Sequence, residues 1–217
     1  TLKTSFSSDI ILEIDGISNG FAQNVFQFPM YAKNTLKRFS QTGTTIGAVD
    51  TYDPYQIDAY EGNTEIKSSI YSKPIANNAL PHCDVFESNR YTKEENKLLK
   101  ETHKILDPDI QVAATCVRVP VLNGHSESIH IKSEKPLTEK AVVELLKNAP
   151  GISLSYGTGK DDYPTVATDG DGDNLVHVGR VRQDLWSDRR INLWVVADNL
   201  LKGAALNSIQ IAELIFE

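Results

Sequence analysis

The sequence predicts an α+β fold in which helices cover one face of a mixed or largely antiparallel sheet. Short segments of alternating apolar and polar residues recur through the second half of the chain, and amphipathic helical segments lie between them. No segment repeats at a fixed period. With 217 residues and 40% hydrophobic side chains, the chain is long enough to bury one large core.

Five strands are predicted from the alternating segments. The first covers 111–121 and places Cys116 and Arg118 on the same face, because alternate residues of a strand point to the same side. Asn123-Gly124 then predicts a tight turn that reverses the chain and brings His125 to the start of the next strand. The remaining strands are predicted near 128–132, 152–156, 175–182 and 191–197.

The first predicted helix carries charged residues along the edge of its apolar stripe. It opens at Thr92, where Glu95 three residues later completes a capping box, and it ends near Leu106. Its apolar residues lie on one face at helical spacing: Leu98, Leu99, Ile105 and Leu106. Three charged residues border that face, where they can meet solvent or a ligand: Glu94, Lys97 and Glu101.

Two further helices are predicted in the last third of the chain. One begins at Thr138 and is stopped by Pro150-Gly151. The other follows Asp198-Asn199. The residues expected to face inward are Val142, Val143, Leu145 and Leu146 in the first of these helices, and Ala204, Ala205, Ile209, Ala212 and Leu214 in the second.

Charge and composition exclude several classes of partner. The net charge of −7 and a pI near 5.3, with no block rich in Lys or Arg, argue against nucleic acid and against an anionic membrane. The apolar runs are too short to span a bilayer. Two cysteines allow one disulfide at most, so we expect a reduced, cytoplasmic setting. No zinc spacing is present, and Asp169–Asp173 is expected to be a solvated turn rather than a calcium loop, so no metal site is predicted.

Arg118 and His125 are the residues most indicative of function. An arginine offers a planar fork that fits a carboxylate or a phosphate, and a histidine exchanges protons near neutral pH. Across a strand and a tight turn, the two indicate a site that holds an acidic substrate and moves a proton on it. The alternatives are an Arg118 that pairs with a structural carboxylate or lines an interface, and a His125 bonded to the backbone of its turn.

Five segments of the sequence occur in the order and spacing of one enzyme family. The first, 114–128, contains Arg118 and His125. The others are 75–86, 91–106, 178–182 and 194–208. Together they resemble the aspartate-semialdehyde dehydrogenase family, over roughly residue 74 to the end of the chain.

The resemblance implies a domain assignment and a reaction. Residues 74–217 are similar to the second, catalytic and dimerisation domain of the family, and 1–73 form a poorly matched N-terminal part of the same domain. The family carries out the NADP-dependent reductive dephosphorylation of aspartyl phosphate to aspartate semialdehyde, in the biosynthesis of lysine, threonine and methionine. The resemblance also implies that the chain binds a small-molecule substrate and phosphate, and that it forms a homodimer or homo-oligomer.

The resemblance also implies a role for each matching residue. Arg118 would bind the α-carboxylate of the substrate, and His125 would be the general acid/base. Glu94 would receive the α-ammonium group, and Lys97 would bind phosphate. Asn199 would contact the nicotinamide of NADP. The alternatives are an ordinary surface ion pair for Glu94 and Lys97, and a helix N-cap for Asn199.

Three departures from the family pattern put activity in doubt. The chain has no G-x-G-x-x-G turn for a nucleotide. Neither Cys83 nor Cys116 lies in the Asn-Cys-Ser or Asn-Cys-Thr turn of the family's nucleophile. After a short helical stretch at 32–39, Asp53 stands where the family has a glutamine. Two functions therefore remain open: a part of the enzyme that needs a nucleotide and a nucleophile from elsewhere, or a non-catalytic dimerisation and binding module.

Overall fold

The computed structural model describes the backbone of 11–16 and residues 71–75, 78–121 and 123–216. The helical stretch predicted at 32–39 and the position of Asp53 lie outside the described residues, as does most of the proposed N-terminal part. These assignments stay predictions.

A mixed six-stranded sheet forms the centre of the described structure, with the strand order β2-β1-β3-β6-β5-β4. The pairs β1–β2 and β4–β5 are parallel, and the other three neighbouring pairs are antiparallel. The α+β class with a mixed sheet is therefore confirmed. The strands are β1 (Ile11–Gly16), β2 (Gln111–Cys116), β3 (His125–Lys132), β4 (Ile152–Leu154), β5 (Val176–Gln183) and β6 (Arg190–Ala197).

Strand β1 was not predicted, and it separates two strands that are close in sequence. It pairs in parallel with β2 and antiparallel with β3, so β2 and β3 do not form a hairpin. The turn at Asn123-Gly124 still reverses the chain, and β3 begins at His125 as expected.

The first predicted strand is shorter in the structure than in the prediction. β2 ends at Cys116, and Arg118 instead exchanges two backbone hydrogen bonds with Leu80, at 2.8 and 2.9 Å. Pro120 has no N–H to donate, so the ladder cannot continue to residue 121. Cys116 and Arg118 therefore do not share a continuous strand face.

Helix α2 (Glu139–Lys147) packs on the sheet over β4 and β5. Thr138 caps it by accepting a hydrogen bond from the N–H of Ala141. Val142 and Val143 are buried as predicted, whereas Leu145 is half exposed because, at about 3.6 residues per turn, it lies to one side of that stripe. The core around them contains Val178, Val181, Ile191 and Leu193.

Helix α1 (Lys93–Ile105) begins with the predicted capping box. The N–H of Thr92 donates to Oε2 of Glu95 at 2.6 Å, and the N–H of Glu95 donates to Oγ1 of Thr92 at 3.4 Å. Ile105 and Leu106, at the other end, are exposed rather than inward as predicted.

The last helical segment begins after Asp198, as predicted, but with a wide turn. A π-helical turn at Leu201–Ala205 leads directly into α3 (Leu206–Phe216). Of the predicted inward residues, Ala204 is buried, while Ile209 and Leu214 are exposed. In the part of the chain that the structure describes, no helix combines the length and apolar character that crossing a membrane requires.

Candidate functional site

The turn before His125 is held by a residue from the other end of the chain. Gly124 adopts a left-handed φ of 87°, and its N–H donates to Oδ1 of Asn199 at 2.8 Å. Asn199 is itself buried. The N-cap alternative for Asn199 is therefore wrong, because its side-chain oxygen is engaged with the turn instead of with the helix that follows. The structure brings the predicted residues His125 and Asn199 together.

Asp198 caps the last helical segment and was not predicted as a site residue. Its side chain is buried, and Oδ1 accepts from the N–H groups of Leu200 and Leu201 at 2.7 and 2.9 Å. Oδ2 accepts from the N–H of Gly172 at 2.8 Å and from the amide of Asn123 at 3.0 Å. One carboxylate thus joins three segments around His125. The sequence revealed only an acidic residue before a helix, which indicates a cap and no more.

A third segment covers the same turn. The π-helical turn Val166–Gly170 places the buried side chain of Val166 against Gly124. Nearby, Oδ1 of Asp171 accepts from the amide of Asn123 at 2.9 Å. The aspartates of this segment bind the chain itself, and the described residues contain no group of three side chains that could hold a metal ion.

His125 is half-buried, in a setting that keeps it neutral. Burial, and then the charge of Lys97, lower the pKa of His125 to about 4, against a smaller opposite effect of Asp198. Among the described residues, Nδ1 is buried and has no hydrogen-bond partner. The alternative of a turn histidine bonded to backbone therefore has no support at Nδ1.

The pKa of His125 predicts a pH-dependent stability. The unfolded chain takes up a proton near pH 6.5, while the folded chain takes it up only near pH 4. The free energy of unfolding is therefore expected to fall by on the order of 2–3 kcal/mol as the pH falls from about 7 to about 4. Urea unfolding at several pH values measures this loss. A His125→Gln variant should show a flatter curve; equal slopes in both proteins would contradict the assignment.

Glu94 and Lys97 form an ion pair on the first turns of α1. Nζ of Lys97 lies 3.2 Å from Oε1 of Glu94, with side chains only 17% and 12% exposed. Glu101 is more exposed and 4.0 Å from the same ammonium group. Because exposed pairs of this spacing are common, the burial is what distinguishes this pair from an ordinary surface one. The charge of Lys97 lowers the pKa of His125, so the pair and the turn are linked electrostatically.

Arg118 is anchored by another part of the chain. Besides its backbone bonds to Leu80, its guanidinium carbon lies 5.3 Å from the ring centre of Tyr71. The structure brings His125 and Asn199 to one turn and pairs Glu94 with Lys97 on α1. The contacts described for Arg118 tie it to Tyr71 and Leu80.

The two cysteines lack the features of a nucleophile. Cys83 and Cys116 are not joined in a disulfide and are buried, with exposed fractions of 0% and 1%. A hydrogen bond with Cys83, followed by burial, raises the pKa of the Cys116 thiol far above its usual range. Since the thiolate is the reactive form, neither residue is poised to attack a substrate.

Alkylation tests this conclusion. With iodoacetamide at about pH 8, we expect neither Cys83 nor Cys116 to be modified in the folded chain, and both to be modified in guanidinium. Mass spectrometry of the intact chain and of its peptides counts and locates the adducts. Rapid modification of one thiol in the folded chain would identify it as a candidate nucleophile.

Comparison with known proteins gives a consistent result. The family model for the semialdehyde dehydrogenase dimerisation domain matches residues 40–202. The aspartate-semialdehyde dehydrogenase of Aquifex aeolicus is 42% identical over 194 residues, which are 86% of this chain and 57% of the relative. The solved Vibrio cholerae aspartate semialdehyde dehydrogenase II, complexed with ASA, superposes with a TM-score of 0.73 at 36% identity, over 95% of this chain and 54% of that one.

A more distant structure shares the fold. The Candida albicans aspartate semialdehyde dehydrogenase, solved with NADP, gives a TM-score of 0.55 at 23% identity, over 84% of this chain and 62% of that one. The chain spans about half the length of the curated relatives that it matches.

Proposed function

We propose, since this chain belongs to the semialdehyde dehydrogenase family through its dimerisation domain, that it supplies the substrate-binding and acid–base part of an aspartate-semialdehyde dehydrogenase. The observation that carries the proposal is a mostly buried Glu94–Lys97 ion pair whose ammonium charge helps to keep the half-buried His125 neutral. Buried charges and a histidine with a strongly shifted pKa concentrate at functional sites. The relatives act as whole enzymes about twice as long, so the complete reaction is proposed for the whole protein.

Each charged group fits one part of an amino-dicarboxylate phosphate. Arg118 presents a planar fork to the α-carboxylate, and Glu94 a carboxylate to the α-ammonium group. Lys97 presents an ammonium group to the phosphate. Because Glu94 and Lys97 already neutralise each other in the free chain, a ligand with both charges can replace that pair without leaving a buried charge uncompensated.

His125 is suited to move a proton at the reacting carbonyl group. Being neutral at pH 7, it can accept a proton, and its buried Nδ1 has no described partner to compete with a ligand. A bound phosphate would raise the pKa of His125 from about 4 towards neutrality, because an anion favours the imidazolium form. Such a shift would adapt the histidine to acid–base work when substrate is present.

NADP would supply the hydride when it is bound to the whole protein, as suggested by the Candida albicans relative solved with it. The described residues of this chain fit it only in part. Oδ1 of Asn199 is already occupied by Gly124, which leaves its Nδ2 for a nicotinamide carbonyl. No glycine-rich phosphate turn is found in the sequence.

A second candidate function is a dimerisation and binding module without catalysis of its own. Both cysteines of the sequence are buried in the structure and hydrogen bonded to each other, which supports this alternative for the chain acting alone.

A homodimer or homo-oligomer is proposed in either case. The free thiols support a reducing cytoplasmic setting, and the role in lysine, threonine and methionine biosynthesis follows from the proposed activity.

Calorimetric titration of the chain tests the proposal. We expect L-aspartate with inorganic phosphate to bind in the absence of NADPH, and NADPH alone not to bind. Absence of aspartate binding would contradict the proposed site. Binding of NADPH would assign a nucleotide site to residues outside the described ones and favour the complete enzyme over the binding module. Sedimentation of the same samples measures the oligomer.

A further inference from the structure

Glu95 makes a contact that its capping role does not require. In a capping box, the glutamate reaches back to the N–H of the N-cap residue, here Thr92, and the rest of its carboxylate is usually solvated. In this chain the other oxygen, Oε1, accepts from the N–H of Cys116 at 2.8 Å. The residue is only 9% exposed. One carboxylate therefore joins the start of α1 to the end of β2.

The bond lies at the edge of the sheet. Among the residues that the structure describes, β2 pairs with β1 and with no other strand. An edge N–H that is buried costs free energy unless it finds an acceptor. Glu95 supplies a charged acceptor, which makes the bond stronger than one between neutral groups.

Both ends of this link carry residues of the proposed site. Glu94 and Lys97 flank Glu95 on the first turns of α1. Arg118 follows Cys116 by two residues, in a segment fixed by its backbone bonds to Leu80. Besides the bonds to Leu80, one buried carboxylate thus links the strand before Arg118 to the start of the helix that carries the Glu94–Lys97 pair.

We propose that Glu95 is a positioning residue that fixes the distance between Arg118 and the Glu94–Lys97 pair, so that one small ligand bridges the two. The inference rests on the proposed function, because it assumes that both groups bind the same molecule. Glu95 itself touches no ligand. Its effect is therefore confined to ligands that contact both groups at once.

Glu95→Gln is the sharpest variant, because it keeps the volume of the side chain. A neutral amide can accept from only one of the two N–H donors and turns its own NH2 group towards the other. Glu95→Asp is the second variant; it keeps the charge near the helix start but is one methylene too short to reach both donors. Glu144→Gln, the same change on the exposed face of α2, is the matched control.

Two ligands that contact different numbers of site residues distinguish a positioning role of Glu95 from a general loss of stability. L-Aspartate contacts both Glu94 and Arg118, whereas inorganic phosphate contacts Lys97 alone. By calorimetry on the folded variants, we expect Glu95→Gln and Glu95→Asp to weaken aspartate binding at least ~10-fold and phosphate binding less than ~2-fold. The Glu144→Gln control should match the wild type with both probes. Amide hydrogen exchange should become faster over 116–118 in the two Glu95 variants and stay unchanged in β6.

The experiment distinguishes failure of the proposed function from failure of the positioning role. If the wild type binds no aspartate, the proposed function fails and the positioning role fails with it. If the wild type binds aspartate and both Glu95 variants bind it equally well, only the positioning role is overturned. Equal losses for aspartate and phosphate, or unchanged exchange over 116–118, would also overturn it, because Glu95 would then act on stability alone or not on Arg118.

Discussion

Replacing Gly124 by alanine is expected to destabilise the folded chain by about 3 kcal/mol. The residue has a φ of 87°, where a side chain is strained. An added methyl group would also overlap Cγ2 of Val166 and lie 3.0 Å from the carbonyl oxygen of Ala197. Val166 is buried and β-branched, so it cannot turn aside at low cost. Urea or thermal unfolding measures the change.

Gly172→Ala is the matched control for this prediction. Gly172 has a similar φ of 81°, but an added methyl group there meets nothing within 4 Å. Its substitution should therefore cost only the strain of the backbone, about 1 kcal/mol. The difference between the two variants isolates the contacts with Val166 and with the carbonyl oxygen of Ala197. Equal costs would mean that the 166–170 turn does not press on the turn before His125.

Arg118→Ala should reduce L-aspartate binding at least ~100-fold while leaving the fold intact. The variant removes the group proposed to hold the α-carboxylate, and a bidentate arginine–carboxylate contact is among the stronger polar interactions in proteins. The backbone bonds to Leu80 do not depend on the side chain, so the segment should keep its place. Calorimetry gives the affinity, and circular dichroism with thermal unfolding confirms the fold.

Two further variants define what Arg118 contributes. Arg118→Lys keeps the charge and loses the planar fork, so we expect an intermediate affinity. Arg189→Ala, an exposed arginine whose described hydrogen bond is to the carbonyl group of Glu134, should bind like the wild type. Unchanged aspartate affinity in Arg118→Ala would make Arg118 a structural residue and remove it from the site.

The parts of the fold that the sequence predicted well depend on short-range chemistry. The capping box at Thr92 and Glu95, the cap at Thr138 and the turn at Asn123-Gly124 each involve residues at most three positions apart. Their hydrogen bonds and backbone angles can be inferred without a partner segment. The spacing of Glu94 and Lys97 on α1 is predictable for the same reason.

The parts that were missed depend on contacts across the sequence. β1 could not be placed between β2 and β3, because strand order depends on tertiary packing rather than on alternation. Asp198 gave a local capping signal, whereas its bonds to Gly172 and Asn123 require the loops to be in place. The exposed residues Ile105 and Leu106 show the same limit, since an apolar stripe predicts the face of a helix and not how much of it a neighbour covers.

The place of β1 in the sheet has a consequence for how the chain folds. Its partners in β2 and β3 lie roughly 100 residues or more further along the chain. A ribosome therefore releases β1 long before either neighbour exists, and the sheet is completed only when 111–132 have emerged. The entropy of closing so large a loop is lost before its contacts are gained, so the relative contact order is high and refolding should be slow. Strands β3, β6 and β5 are antiparallel and lie closer in sequence to one another than β1 lies to its partners, so they can assemble first and offer an edge for β1 to join.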